Sequence, residues 1–174
     1  MKISAAIFFF VSFISFNASL IAQQKNVMIM DPKLNQEVMI GYCDKSGLEK
    51  GIFGEYFTSQ YELYQPNESL VAKLSEKINK VKITIVCGTW CSDSRVQLGR
   101  FYKMIDQGGC NEKNLTLIGV NRDKNALSIN VEPLNIKLVP TFIVYYNEKE
   151  IGRIIETPKK SLEEDLWKIV KKVP

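Results

Sequence analysis

A chain of 174 residues, 45% apolar and 24% charged, has the size and make-up of one globular domain. Its net charge of +4 is modest and dispersed. The densest basic spots, Lys159-Lys160 and Lys171-Lys172, come without an arginine–aromatic stripe, so no nucleic-acid partner is expected. The chain contains no histidine, which removes Ser-His-Asp and Cys-His catalysis, His-ligated zinc and imidazole acid–base chemistry. Neither a Walker-type loop nor a G-x-G-x-x-G fingerprint is present. Nucleophilic chemistry therefore falls to Cys43, Cys87, Cys91 and Cys110.

The N-terminus opens with Lys2 and an apolar run through Ile7-Phe8-Phe9-Phe10-Val11, Phe13, Ile14 and Phe16. Leu20-Ile21-Ala22 and the polar pair Gln23-Gln24 follow. A positive start, a short apolar core and a small residue at the exit predict a secretory signal peptide over residues 1–22, cut after Ala22. An uncleaved membrane anchor is the alternative, and Ser12, Ser15, Asn17 and Ser19 make it a poor span. The expectation is a periplasmic or secreted chain with no stable membrane association after cleavage. Its cysteines would then work in an oxidising compartment.

Residues 36–43 read as a strand. Phe53, Tyr56, Phe57, Tyr61 and Tyr64 recur at helical spacing and predict a helix with an aromatic core face. Pro66 closes that piece, and Asn67 is placed to cap a helix carrying Leu70, Val71, Leu74 and Ile78. Val81 to Cys87 is a β-branched apolar run suited to a buried central strand, with Ile83 and Ile85 on one face and Thr84 and Val86 on the other. Gly88-Thr89 turns the chain into a helix starting near Cys91, with Leu98, Phe101, Tyr102 and Ile105 on one side. Leu115 to Val120 is a second buried strand. Phe142–Tyr146 and Glu150–Ile155 predict a hairpin across Asn147-Glu148-Lys149. Ser161-Leu162-Glu163-Glu164 is a capping box opening a final helix with Leu162, Leu166, Ile169 and Val170 buried. The alternation predicts an α/β domain.

The segment Cys87-Gly88-Thr89-Trp90-Cys91-Ser92-Asp93-Ser94 puts Cys91 where a buried strand hands over to a helix. Unpaired N–H groups at a helix start favour a thiolate; Arg95 adds to that effect and Asp93 opposes it. Cys87 is the candidate redox partner of Cys91, its bland alternative being a small buried hydrophobe. Four cysteines allow three complete pairings, and spacing does not choose among them.

Thr89-Trp90-Cys91-Ser92-Asp93-Ser94 resembles the Trp-Cys-x-x-Cys site of the thioredoxin superfamily, with Ser94 in place of the second cysteine. Val139-Pro140-Thr141 is similar to the family's cis-proline segment, and Phe142 to Gly152 to its hairpin. The likeness covers residues 68–172, and the signature is similar to that of a group of exported bacterial thioredoxin-like proteins. It implies a thioredoxin fold: a central mixed sheet flanked by helices, here with an extension over residues 23–66 that packs on the domain of residues 67–174. It also implies that Cys91 is the nucleophile, that Thr89, Trp90, Asp93 and Ser94 surround it, and that Val139 and Pro140 bind substrate. Two departures stand out. Ser94 cannot resolve a mixed disulfide, and Ile85 occupies the place of the family's buried acid. The implied function is a monothiol thiol–disulfide oxidoreductase acting on a disulfide- or thiol-bearing protein, with an external thiol reductant and no metal or organic cofactor. A non-catalytic binding or scaffold module is the alternative. A thiol peroxidase is disfavoured because no Pro-x-x-x-Thr-x-x-Cys run is present.

Overall fold

A computed structural model describes residues 24–174. The expected leader, residues 1–22, lies outside the described residues. Among the described residues one sheet of six strands organises the fold, in the order β1-β2-β4-β3-β5-β6. The strands are β1 (Val27–Asp31), β2 (Gln36–Cys43), β3 (Lys82–Cys87), β4 (Leu115–Gly119), β5 (Thr141–Tyr146) and β6 (Lys149–Ile155). β3 and β4 run parallel and the other pairings are antiparallel, which makes the sheet mixed. The helices are α1 (Lys45–Leu48), α2 (Gly51–Leu63), α3 (Glu68–Ser75), α4 (Ser92–Gln107) and α5 (Leu162–Val170). Among the described residues no helix is long and apolar enough to cross a membrane.

Alternation along β3 sorts its side chains to two cores. Ile83, Ile85 and Cys87 enter the larger one, with Phe57 of α2, Phe101 and Tyr102 of α4, and Leu166 of α5. Phe101 stacks on Phe142 of β5 with ring centroids 4.6 Å apart, fastening α4 to the sheet. Gly99 lets α2 and α4 close on each other, because a Cβ there would lie 2.5 Å from the Phe57 carbonyl oxygen. On the opposite face Val86 joins a smaller core with Ile118, Val120, Ala126, Val131 and Val139. The irregular β4–β5 connection supplies Ala126, Val131 and Val139 to this core; its one helical piece is a single 3₁₀ turn at Glu132–Leu134.

Helix starts follow their caps: Asn67 accepts from the Leu70 N–H at 3.0 Å, and Ser161 from the Glu164 N–H at 3.1 Å. Ile78 falls beyond α3, in a 3₁₀ turn, yet is still buried. The aromatic stripe of α2 is only partly core. Phe53 and Phe57 are buried, Tyr56 is exposed, and Tyr64 leaves the helix to hydrogen-bond Glu163 with its hydroxyl. The β5–β6 turn holds two residues, Asn147 and Glu148, both at positive φ, the backbone sign that suits a tight hairpin. β1 was not signalled by the sequence pattern. It pairs with β2, so residues 27–43 extend the sheet as a hairpin.

Candidate active site

β3 ends at Cys87, three residues turn, and Cys91 caps α4 with extended backbone, φ −89° and ψ 130°. The Cys91 N–H closes this turn on the Gly88 carbonyl at 2.9 Å. Gly88 is required there, since a Cβ would lie 2.6 Å from the Trp90 ring. The Cys91 side chain makes no cap hydrogen bond to α4. Its thiol is half-buried and donates instead to the Val139 carbonyl, with Sγ 3.0 Å from the oxygen. The Val139–Pro140 peptide bond is cis, in accord with the resemblance, and both residues are buried beside Cys91. The Thr141 hydroxyl steadies this approach by donating to the Leu138 carbonyl at 2.7 Å.

Trp90, Thr89, Ser94 and Arg95, all within four residues of Cys91, have definite structural tasks. Trp90 donates its indole N–H to the Val120 carbonyl at 2.9 Å, while Val120 donates to the Cys87 carbonyl at 2.8 Å, so the turn is sewn to the end of β4. The Arg122 guanidinium lies 5.2 Å above the Trp90 ring. Thr89 turns its hydroxyl toward β2, where it accepts from the Met39 N–H at 3.0 Å. Ser94 is 0% exposed, and its hydroxyl accepts from the Gly88 N–H at 3.3 Å. Asp93 lies in the first turn of α4, half-buried, and makes no ion pair among the described residues. Arg95 donates Nε to the Thr89 carbonyl at 3.1 Å and stacks over Tyr56, so it braces the turn from outside.

The second thiol is placed differently. Cys87 is 0% exposed and faces the larger core, whereas Cys91 packs against the smaller core on the other side of β3. Burial, the main cause, pushes the Cys87 thiol well above its ordinary range, with Cys43 and Cys91 nearby adding to the rise. Burial likewise pushes Cys43 up to about 11 and, with Asp106 contributing, Cys110 up to about 11. All four cysteines are free. Cys43 sits on β2, two strands from β3. Cys43 is level with Leu117 and Ile85, whereas Cys87 is level with Gly119, two residues further along. Two strand spacings of about 4.8 Å and two residues at about 3.3 Å set the two Cα atoms about 11–12 Å apart, beyond the roughly 7 Å a disulfide spans. Ile85 is fully buried in the larger core, so no acid stands behind the turn at that position. Among the described residues no three His, Cys, Asp or Glu side chains gather as metal ligands.

The strand–turn–helix bearing Cys91, the cis-proline approach and the closing hairpin with α5 define the architecture. The fold is a thioredoxin fold. No family model matches the chain. A curated protein similar to it is thioredoxin H9 of Arabidopsis thaliana, 26% identical over 122 residues that span 69% of this chain and 83% of that protein. Solved structures similar to it include mitochondrial thioredoxin 3 of Saccharomyces cerevisiae, 19% identical, covering 66% of this chain and 99% of the other with a TM-score of 0.38. Thioredoxin O2 of Arabidopsis thaliana matches at 16% identity over 60% of this chain and 84% of the other, with a TM-score of 0.39. A protein of unknown function from Pseudomonas aeruginosa matches at 16% identity and a TM-score of 0.44, over 64% of this chain and 65% of the other, a little under two thirds of its length.

Within this thioredoxin fold, the tie from Thr89 to Met39 and the support of Trp90 by Val120 and Arg122 were not signalled by the sequence. They join residues that are far apart in the chain or that interact through backbone groups, and neither leaves a motif.

Proposed function

We propose that this protein is a thiol–disulfide oxidoreductase of monothiol type, with Cys91 as nucleophile. The observation that carries the reading is a half-exposed thiol at the start of α4, 3.0 Å from the backbone carbonyl of Val139 beside cis-Pro140. Such a site has a sulfur to attack with and a neighbouring stretch of main chain against which a substrate can lie as an added strand. The likeness to a protein named as a thioredoxin favours the same chemistry.

The Cys91 thiolate attacks one sulfur of a substrate disulfide, forming a Cys91–substrate disulfide as the substrate's own S–S bond breaks. The departing sulfur leaves as thiolate and takes up a proton. Ser94 has no sulfur with which to complete the exchange. An outside thiol therefore attacks the Cys91 sulfur and frees the substrate thiol, and a second outside thiol then removes the first as a disulfide. Two thiols supply the two electrons. The partners are a disulfide-bearing protein and an external thiol reductant. The leader-like pattern of residues 1–22 supports a periplasmic or secreted place of work for the mature chain.

Burst kinetics test the proposal. With a chromogenic disulfide and no added thiol, the protein releases one equivalent of leaving thiol and stops; added thiol restores turnover. Ser94→Cys should release the mixed disulfide internally. Positions 91 and 94 are one helical turn apart, about 5–6 Å between Cα atoms, within bridging distance. Absence of a burst would leave the fold as a binding module.

A further inference from the structure

A cleft of about 540 Å³ opens beside the active-site turn, lined by Thr89 and Arg95 but by neither Cys91 nor Val139. One wall is the β1–β2 hairpin, with Met28 and Met39; the other is the start of α2, with Ile52 and Phe53; Thr89 and Arg95 close the end nearest Cys91. Its lining is mainly apolar, and at its rim Met28 is 52% and Ile52 71% exposed, apolar surface that a bound chain would cover. Two cations face it, Lys50 and Arg95, against one exposed carboxylate, Glu37. Arg95 is the more telling. It is half-buried and fixed by its Nε bond to Thr89 and by the Tyr56 ring 4.7 Å away. Among the described residues its terminal nitrogens make no hydrogen bond and it forms no ion pair. A fixed guanidinium with its fork unused is suited to a carboxylate.

We infer that this cleft is a specificity site for the polypeptide attacked by Cys91, receiving a large apolar side chain together with an acidic one from the segment flanking the substrate cysteine. The inference rests on the proposed thiol–disulfide exchange and adds its substrate class. Continuity and charge choose this occupant. Thr89, in the turn that presents Cys91, and Arg95, in the first turn of α4, both line the cleft, so a chain laid across the thiol from Val139 has the cleft as its continuation past Thr89. The apolar walls take the large side chain, and Arg95, with Lys50 at the rim, takes the carboxylate. The walls come from residues 26–53, which gives the N-terminal extension a task in recognition.

The test compares short peptides whose single cysteine carries 5-thio-2-nitrobenzoate as a mixed disulfide. One set places Leu and Glu two to four residues from the cysteine, and a control set places Ala and Lys there. A small uncharged disulfide, hydroxyethyl disulfide, measures Cys91 chemistry without the cleft. Wild-type protein should react with the best Leu/Glu peptide at least about tenfold faster than with its control, the scale expected for one buried side chain plus one charge-assisted contact. Ile52→Asp should remove that preference and leave hydroxyethyl disulfide reduction unchanged. Residue 52 is exposed in the first turn of α2, where an aspartate suits the helix start. Arg95→Gln should remove the preference for Glu over Gln in the peptide and keep that for Leu over Ala.

Equal rates for both peptide sets would overturn the inference while leaving the chemistry at Cys91 standing. Failure to reduce hydroxyethyl disulfide would instead sink the proposed function. Fluorescence anisotropy with a labelled peptide carrying Ala for its Cys then decides the cleft alone: saturable binding that Ile52→Asp abolishes supports it, and no such binding overturns it. Saturation by decanoate without any peptide preference also counts against it, as the mark of a small-molecule pocket.

Discussion

Cys87 and Cys91 are four residues apart, yet the structure treats them in opposite ways. Cys87 ends a central strand, points into the helix-covered core among side chains such as Tyr102 and Leu98, and is shut off from solvent. Cys91 follows one turn later, on the other face of β3, with its sulfur against the Val139 carbonyl under a loop-covered core. Burial raises the Cys87 thiol well above its ordinary range and so withholds the nucleophilic form. The lesson is that position relative to the sheet, more than closeness in sequence, decides which sulfur can take part in exchange. The same β-alternation that fills the core with Ile83 and Ile85 buries Cys87 away from the proposed exchange at Cys91.

Replacing each thiol in turn gives the largest contrast. Cys91→Ser should abolish the burst with a disulfide substrate, whereas Cys87→Ser should keep it close to wild type in the protein that folds. Loss of the burst in Cys87→Ser, measured on material with a native circular dichroism spectrum, would break the distinction between the two thiols.

The second contrast is between the two cores. Phe101→Ala removes the ring stacked on Phe142 and should cost about 3–5 kcal/mol of stability in a urea titration. Folded protein in low urea should still form the Cys91 adduct, because the thiol is served by the opposite face. Smaller still is Thr89→Val, which leaves the buried Met39 N–H without its partner and should cost about 1–3 kcal/mol. It should also slow the burst, since the turn loses its tie to β2; a burst at the wild-type rate would make that tie purely structural.

The mildest effect is a pH response. Cys43 titrates near 9.0 when unfolded and at about 11 when folded, because burial opposes its thiolate. Between those values the unfolded chain has shed the proton while the folded one still holds it. Cys43's contribution is therefore fully present below pH 9 and is lost as pH rises toward 11. Cys110, raised to about 11, adds to the same slope. Thermal melts should fall across this window, and Cys43→Ala should flatten the fall. A slope that the variant leaves unchanged would locate the titration elsewhere.

Much of this site was legible in the sequence because it is local. The β-branched run ending at Cys87, the turn glycine and the amphipathic stretch after Cys91 specify a strand, a turn and a helix by short-range rules, so the thiol's place at a helix start followed. The approach of Val139-Pro140 was legible only through a family likeness, since the residues lie far along the chain from Cys91 and no periodicity connects them. β1 escaped notice because Val27-Met28-Ile29-Met30 is short and apolar at every position, without the alternation that marks a half-exposed strand. Tyr64 read as part of the aromatic face of α2, but the helix ends at Leu63 and Tyr64 turns to a buried carboxylate from α5, a partner no local rule could name. Arg95 was read as support for the thiolate, whereas its bonds run to the Thr89 carbonyl and the Tyr56 ring.

As proposed, Cys91 works as a single thiol and holds its substrate until an outside thiol arrives. The most direct test is to mix the protein with a disulfide substrate, add no reductant, quench with acid and measure intact and peptide masses under non-reducing conditions. One substrate moiety should be joined through Cys91 and persist over the time course, with Cys43, Cys87 and Cys110 recovered as free thiols. A Cys87–Cys91 disulfide with substrate released would contradict it, because the two sulfurs would then have met across the strand that this structure sets between them.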